Sequence, residues 1–270
     1  MAGGGADEGK RGREEGRGLD EGERGRDDED AVGTDGPGAY EAVHARPDGE
    51  STVARHALTA SEYGFDGLVV RNHGGSDAEY DPDSIAEECG VDVVRGVEVR
   101  AEDPSRASGF VGSHRGEKTI VAVHGGSSAI NRFAVEQPAV DVLAHPVRDG
   151  GEFNHVLAKA AARNGVHVEV TLSRVLRATG GTRVRALQSL RSLVEVIDHY
   201  DTPFVVSADP ASHLQWRAPR ELAAVGDLVG LSTADVRAGL AAWGRLAERN
   251  RHRQSDSFVE PGVSIVDEEE

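Results

Sequence analysis

Thiols are almost absent from this chain, with Cys89 its one cysteine. One sulfur can build neither an internal disulfide framework nor a thiolate zinc site. Lysine is nearly as scarce: only Lys10, Lys118 and Lys159 occur among 30 basic residues, against 47 acids, and the formal net charge is −17. No apolar run approaches the roughly 20 residues of a membrane span. The N-terminus carries no apolar signal core. These absences predict a cytoplasmic protein with no membrane partner. Abundant carboxylates with few long lysine stems match a cytoplasm full of salt, where hydrated acids keep a protein soluble. That reading points to a halophile, and an archaeal one; a mesophilic protein with an acidic surface carries the same signature.

Large apolar residues are nearly missing from the first 39 positions, which hold twelve glycines, twelve acids and six bases, with the initial Met1, Leu19 and Val32 as the exceptions. Such a segment buries too little surface to offset its ordering entropy, so residues 1–39 are expected to be a disordered tail. Residues 254–270, ending in VDEEE, are expected to be an acidic C-terminal tail. Between the tails, short valine-rich runs alternate with helical patterns. The runs are YEAVHA, GLVVRNH, VDVVRGVEVR, KTIVAVHGG, VDVLAHP, VHVEVTL and PFVVSADP. Runs apolar on both faces read as buried parallel strands. Ser51 can cap a first helix, Phe153–Asn164 reads as a helix stopped by Gly165, and Ser232 with Asp235 opens a terminal one. Thr182 can cap a longer helix with Val184, Leu187, Leu190, Val194 and Ile197 on one stripe. The expected fold over residues 40–253 is a single α/β domain, a TIM-like (β/α) barrel of about seven to eight parallel strands. A doubly wound open sheet is the alternative. No G-x-G-x-x-G follows the first strand, so nothing argues for a dinucleotide.

Polar residues gather where the strands should end. His44, His73, His124 and His145 fall at or near C-terminal strand ends, Glu98 and Glu169 lie inside strands near their ends, and Asp209 closes the last. In a barrel all seven converge on the face that carries chemistry. Imidazoles with carboxylates suit zinc, manganese or iron. Singly, each histidine is better explained as a hydrogen-bonded strand-end residue. His56, His114, His155, His167, His199, His213 and His252 fall outside the pattern and are assigned surface or capping roles.

These strand ends resemble those of the polymerase and histidinol phosphatase (PHP) superfamily, barrels that are metal-dependent phosphoesterases. That superfamily opens with His-x-His, continues with His, Glu and His, and ends with Asp-x-His. Here Ala42 replaces the first histidine and Ala211 the last. The resemblance therefore implies a vestigial cluster, with no catalytic residue, no metal and no tightly bound cofactor. A more specific resemblance lies in YEAVHARPDGEST, GFDGLVVRNH, RGVEV, VDVLAHP, GVHVEVTLSRVLRATGGTRVRAL and YDTPFVVSADPASHLQWRAPREL. In that order they are similar to the archaeal ribonuclease P protein component 3 family, the thirty-kilodalton-type subunit with a PHP-like barrel. The resemblance implies a subunit of the ribonucleoprotein that cleaves the 5′ leader from precursor tRNA. It implies that the catalytic RNA subunit does the chemistry, with Mg2+ expected at that RNA. It also implies ribonuclease P protein component 2 and other protein subunits as partners.

An acidic chain that binds RNA needs a local exception to its charge. Thr171–Val194 is 24 residues long, contains five arginines and no acid. Arg174 and Arg177 follow a strand end. Arg183 and Arg185 follow Gly180-Gly181-Thr182, a flexible approach to a helix N-terminus where amides and dipole favour anions. Arg185 and Arg191 are placed off the apolar stripe and so exposed. These five arginines are the candidate RNA-binding residues; a solvated surface with internal pairs is the bland alternative. Arg217, Arg220, Arg249, Arg251 and Arg253 are weaker candidates, and Trp216 either stacks on a base or lies in the core. Two other functions remain open at this point: a stand-alone PHP-type phosphoesterase, and a protein-binding barrel with no RNA role.

Overall fold

A computed structural model describes Met1, residues 37–255, and the backbone of 258–260 and 263–264. The expectation of a disordered segment over residues 1–39 lies almost wholly outside the described residues. So does most of the expected tail.

The strands are β1 (Tyr40–Val43), β2 (Gly67–Val70), β3 (Asp92–Val99), β4 (Ile120–His124), β5 (Val142–Ala144), β6 (His167–Thr171) and β7 (Phe204–Ser207). One helix follows each of β1–β5 and two follow each of β6 and β7: α1 (Val53–Glu62), α2 (Pro82–Cys89), α3 (Pro104–His114), α4 (Ser128–Glu136), α5 (His155–Asn164), α6 (Ser173–Arg177), α7 (Gly180–His199), α8 (Pro219–Asp227) and α9 (Thr233–Gln254). Beyond α9, β8 (Phe258–Glu260) and β9 (Val263–Ser264) pair antiparallel. The seven strands are all parallel and lie in sequence order. This is the expected TIM-like α/β barrel, nearly closed.

Registry fixes which side chains share the interior. Ala42 pairs with Val69 and Val69 with Val94; Glu98 pairs with Ala122, Ala122 with Val142, Val142 with His167, and Glu169 with Val205. Because side chains alternate along a strand, the interior stack on β2 reads Val69, Arg71, His73, and on β3 Val94, Gly96, Glu98. The lower interior is apolar: Tyr40, Ala42, Val69, Val94, Ile120, Ala122, Val142 and Val205 cluster with Ala242, Trp243, Leu246 and Ala247 of α9. The opposite sheet face packs on the surrounding helices, for example Val43, Leu68 and Val121 among Ala57, Ile130 and Leu222.

The barrel closes without a β7–β1 ladder. Glu41, fully buried, accepts hydrogen bonds from Ser207 Oγ (2.8 Å) and from Ala208 N (3.0 and 3.1 Å) across the seam. Burial pushes its carboxyl up to about 7, against those hydrogen bonds. The helix α9 packs on both β1 and β7. Trp243 Nε1 donates to Val206 O at 3.0 Å. The last turns of α9 pass beneath the N-terminal strand ends: Asn250 and Arg249 both reach Asp141 Oδ1 (2.8 and 2.7 Å), and Arg251 forks onto both oxygens of Asp92 at 2.8 Å.

Several local expectations are corrected. Thr52, not Ser51, caps α1, because Ser51 is buried against His213 Nδ1 at 2.9 Å. The helix α5 begins at His155 with Asn154 as cap, while Gly165 ends it in the left-handed conformation as expected. The helix α7 begins at Gly180 rather than after a Thr182 cap, so the two glycines form its first turn. Val184 is 53% exposed, off the buried stripe of Leu190, Leu193, Val194 and Ile197. His56 is a core residue, accepting from Trp216 Nε1 at 2.9 Å. Trp216 is buried and cannot stack on an external base. The Ser232–Asp235 capping box of α9 is present as expected.

Candidate functional site

All seven strand-end residues converge at the upper mouth of the barrel. His44 and Asp209 follow β1 and β7, His73 forms an isolated bridge to Glu98, His124 ends β4, His145 follows β5, and Glu169 lies in β6. The backbone bends hard to bring two of them in. His145 (φ 50°) and Asp209 (φ 53°) are non-glycine residues in the left-handed region, a strain that the surrounding contacts must hold.

Sequence reasoning missed two residues that organise the cluster. The first is Asp48, in the loop after β1. Its Oδ2 accepts from His44 Nδ1 (2.7 Å), His73 Nδ1 (2.9 Å) and the His73 backbone N–H (2.9 Å). The two imidazoles stack with centroids 4.8 Å apart, their Nε2 atoms turned inward. His44 Nε2 lies 3.3 Å from Asp209 Oδ1 and 3.6 Å from Glu98 Oε2. Burial alone would depress the His44 imidazole; Asp209, Asp48 and Glu98 outweigh it and push it up to about 9.

The second is Arg71, one interior layer below His73 and 0% exposed. Its guanidinium sits 3.2 Å from Glu98 Oε2, 2.6 Å from Glu169 Oε1 and 3.1 Å from Asp209 Oδ1. From below, the Trp243 ring supports it, 5.5 Å from centroid to Cζ. Burial would raise the Glu98 carboxyl, but Arg71, His145 and hydrogen bonds from His124 and His73 hold it well below the carboxylate range. Asp209 is held low in the same way, by His44 and Arg71 against burial. Alternation along GLVVRNH puts Arg71 inside once His73 is inside. That signal is faint in the sequence because a strand buried on both faces shows no apolar–polar rhythm.

Barrels of the PHP kind carry their metals at the corresponding mouth, and the residues present here do not fit a multinuclear centre. Arg71 occupies the inward oxygens of three carboxylates that would have to be ligands. Cation donors do lie on the far side of Glu98: His73 Nε2, 3.5 Å from Glu98 Oε1, groups with Glu98 and His124, and His44, Asp48 and His73 form a second, overlapping group. A cation there would stand one carboxylate away from a fixed guanidinium charge.

Beside the mouth is a cavity of about 400 Å3 floored by His145 and Glu169. Arg148, Arg174 and Arg185 face it together with the hydroxyls of Ser173, Thr182 and Ser189. The five candidate arginines thus divide. Arg174 and Arg185 line the cavity; Arg174 is only loosely held, 3.8 Å from Asp149 Oδ1, and Arg185 Nη2 donates to Thr182 Oγ1 at 3.3 Å. Arg183 is exposed on the first turn of α7. Arg177 is a brace, donating to Ala208 O (2.7 Å) and Asp209 O (2.8 Å). Arg191 is exposed as expected but donates to Leu228 O at 2.8 Å, at a separate groove between α7 and α8. Arg148 carried no signal in the sequence, because it lies far from the acid-free window. Of the weaker candidates, Arg249 and Arg251 are engaged in ion pairs beneath the barrel.

Comparison with known proteins matches the family model described as RNase P subunit p30 to residues 39–255. Ribonuclease P protein component 3 of Haloarcula marismortui is 61% identical over 229 residues, covering 85% of this chain and 97% of its own. The protein of the same name from Natronomonas pharaonis is 59% identical over 226 residues, covering 84% and 94%. A chain from a cryo-EM structure of archaeal ribonuclease P with mature tRNA is similar at TM-score 0.72 and 25% identity, covering 86% of this chain and 99% of that one. An amidohydrolase (TM-score 0.53, 12% identity, 80% and 75% coverage) shares the fold alone.

Proposed function

The chain belongs to the ribonuclease P subunit p30 family, and from that premise we propose how its barrel serves the ribonucleoprotein that matures the 5′ ends of tRNA. It is a protein subunit of ribonuclease P, and the holoenzyme is the endoribonuclease. The observation that carries this reading is the extent of the match: the family model spans the whole barrel, and the similar archaeal chain is covered over 99% of its length. Catalysis then belongs to the RNA subunit and its Mg2+, with precursor tRNA as the holoenzyme's substrate. Component 2 and other protein subunits are the proposed protein neighbours.

The cavity lip of Arg148, Arg174 and Arg185 is the proposed RNA contact. Arginine suits it because a planar fork binds phosphate bidentately and stacks on bases. Reconstituted cleavage of precursor tRNA, titrated with mutant subunit at fixed salt, tests this. Each arginine that makes a charge-assisted hydrogen bond is worth about 1–3 kcal/mol of assembly. The pair Arg174→Ala and Arg185→Ala should shift the titration more than either alone and leave the melting temperature unchanged, since both side chains are solvent-facing. Arg177→Ala should instead lower the melting temperature, because its two carbonyl contacts hold the β7 end in place. A double variant that titrates like wild type would move the RNA away from this lip.

The isolated subunit is proposed to be neither a phosphoesterase nor a metalloprotein. After dialysis it should hold well under one transition metal per chain and turn over no phosphoester. Stoichiometric metal with turnover abolished by Glu98→Ala would overturn that and favour the stand-alone hydrolase.

A further inference from the structure

The geometry points to Arg71 as a built-in replacement for a divalent cation: the mouth keeps a metal-type carboxylate cluster, and the chain supplies the positive charge itself. Three facts carry this. The carboxylates of Glu98 on β3, Glu169 on β6 and Asp209 just after β7 each turn an oxygen to the same guanidinium, Glu98 at Nη1 (3.2 Å) and Glu169 and Asp209 at Nη2 (2.6 and 3.1 Å). Arg71 is 0% exposed and Trp243 lies beneath it, so it cannot swing out to solvent to admit an ion. Finally, Glu98 is shared. Its Oε2 faces Arg71, while its Oε1 faces His124 and, at 3.5 Å, His73 Nε2. One carboxylate bridging two cation positions is the layout of a two-ion centre, and here one of those positions is protein.

Removing the guanidinium should therefore uncover a site rather than merely leave a hole. Glu98 Oε2, Glu169 Oε1 and Asp209 Oδ1 would be freed together, with His44 Nε2 already 3.3 Å from Asp209 and 3.6 Å from Glu98. Three carboxylate oxygens and one imidazole suit Mn2+. This inference concerns the barrel alone and stands apart from the proposed RNA contact.

The test titrates metal-free wild type, Arg71→Ala and Arg71→Lys with Mn2+ by calorimetry. Excess Mg2+ is present to occupy surface acids, and melting curves are recorded with and without Mn2+. Arg71→Ala should melt well below wild type in metal-free buffer. It should bind one Mn2+ per chain more than wild type, and recover most of the lost melting temperature as it does so. Arg71→Lys keeps a cation at the mouth and should bind no more Mn2+ than wild type. If Arg71→Ala is unfolded without metal, the same reading is made by refolding it in Mn2+, which should rescue it and leave wild type unaffected. An Arg71→Ala chain that gains no ion, folded or not, overturns the proposal. So does Arg71→Lys gaining the same extra ion as Arg71→Ala, or wild type binding two with Arg71 in place.

Discussion

His44 shows how one side chain couples the mouth to pH. Its folded pKa is pushed up to about 9 from an ordinary value near 6.5. A raised imidazole pKa stabilises the fold fully below about pH 6.5 and loses that contribution as pH rises through 9, on the order of 3 kcal/mol in all. His56 works in the opposite sense: burial lowers it to about 4, so its contribution is present above about pH 6.5 and fades as pH falls through 4. Unfolding of wild type and His44→Gln, followed from pH 6 to pH 10, should show a gap in stability that closes as pH rises. A gap that stays constant would mean His44 is held neutral. The seven strand-end residues were legible in the sequence because a barrel sends every strand end to one place. Asp48 and Arg71 were not: Asp48 sits in an ordinary turn, and the role of Arg71 appears only when β3, β6 and β7 are seen to aim carboxylates at it.

At the scale of elements, α9 does more than cover the sheet. Trp243 fills the barrel floor, supports Arg71 and donates to Val206 O. Trp243→Ala should cost about 3–5 kcal/mol, the range for emptying a buried aromatic site. Trp243→Phe should cost less, chiefly the hydrogen bond, about 1 kcal/mol. Equilibrium unfolding at fixed salt checks both, and equal costs would deny the floor its packing role. All seven strands could be read from valine runs, and four of the nine helices among the described residues, α1, α5, α7 and α9, from caps and periods. Helix starts were misplaced by one to three residues at α1, α5 and α7, and the start of α7 matters most. Periodicity ranks faces but does not say where a helix outruns its partners. Gly180–Thr182 form an exposed first turn ahead of the buried stripe, which is why Val184 faces water.

Across the whole molecule, a charge of −17 leaves no general attraction for RNA. At about 1 M salt the Debye length is roughly 3 Å and counterion release adds little, so contacts and neighbouring subunits must carry assembly. Raising KCl from about 1 M to about 3 M should then change the affinity of the subunit for the ribonucleoprotein only slightly; a steep loss would show that long-range charge still matters. Relatives from Haloarcula and Natronomonas agree with the salt-adapted composition. Pro37 abuts Gly244 of α9, so a truncation should spare it. Removing residues 1–36 should leave melting temperature and reconstituted activity unchanged, and a drop in either would show that the segment docks. The seam between β7 and β1 has a further consequence, in time rather than in space. Glu41 meets its partners 166 and 167 residues later, and the helix that grips both edges is the last helix among the described residues. A nascent chain can lay down strands one after another on the ribosome, but both outer strands stay open until α9 emerges. Translation that stalls before Thr233 would therefore release a sheet with two unpaired edges, ready to join other chains instead of itself.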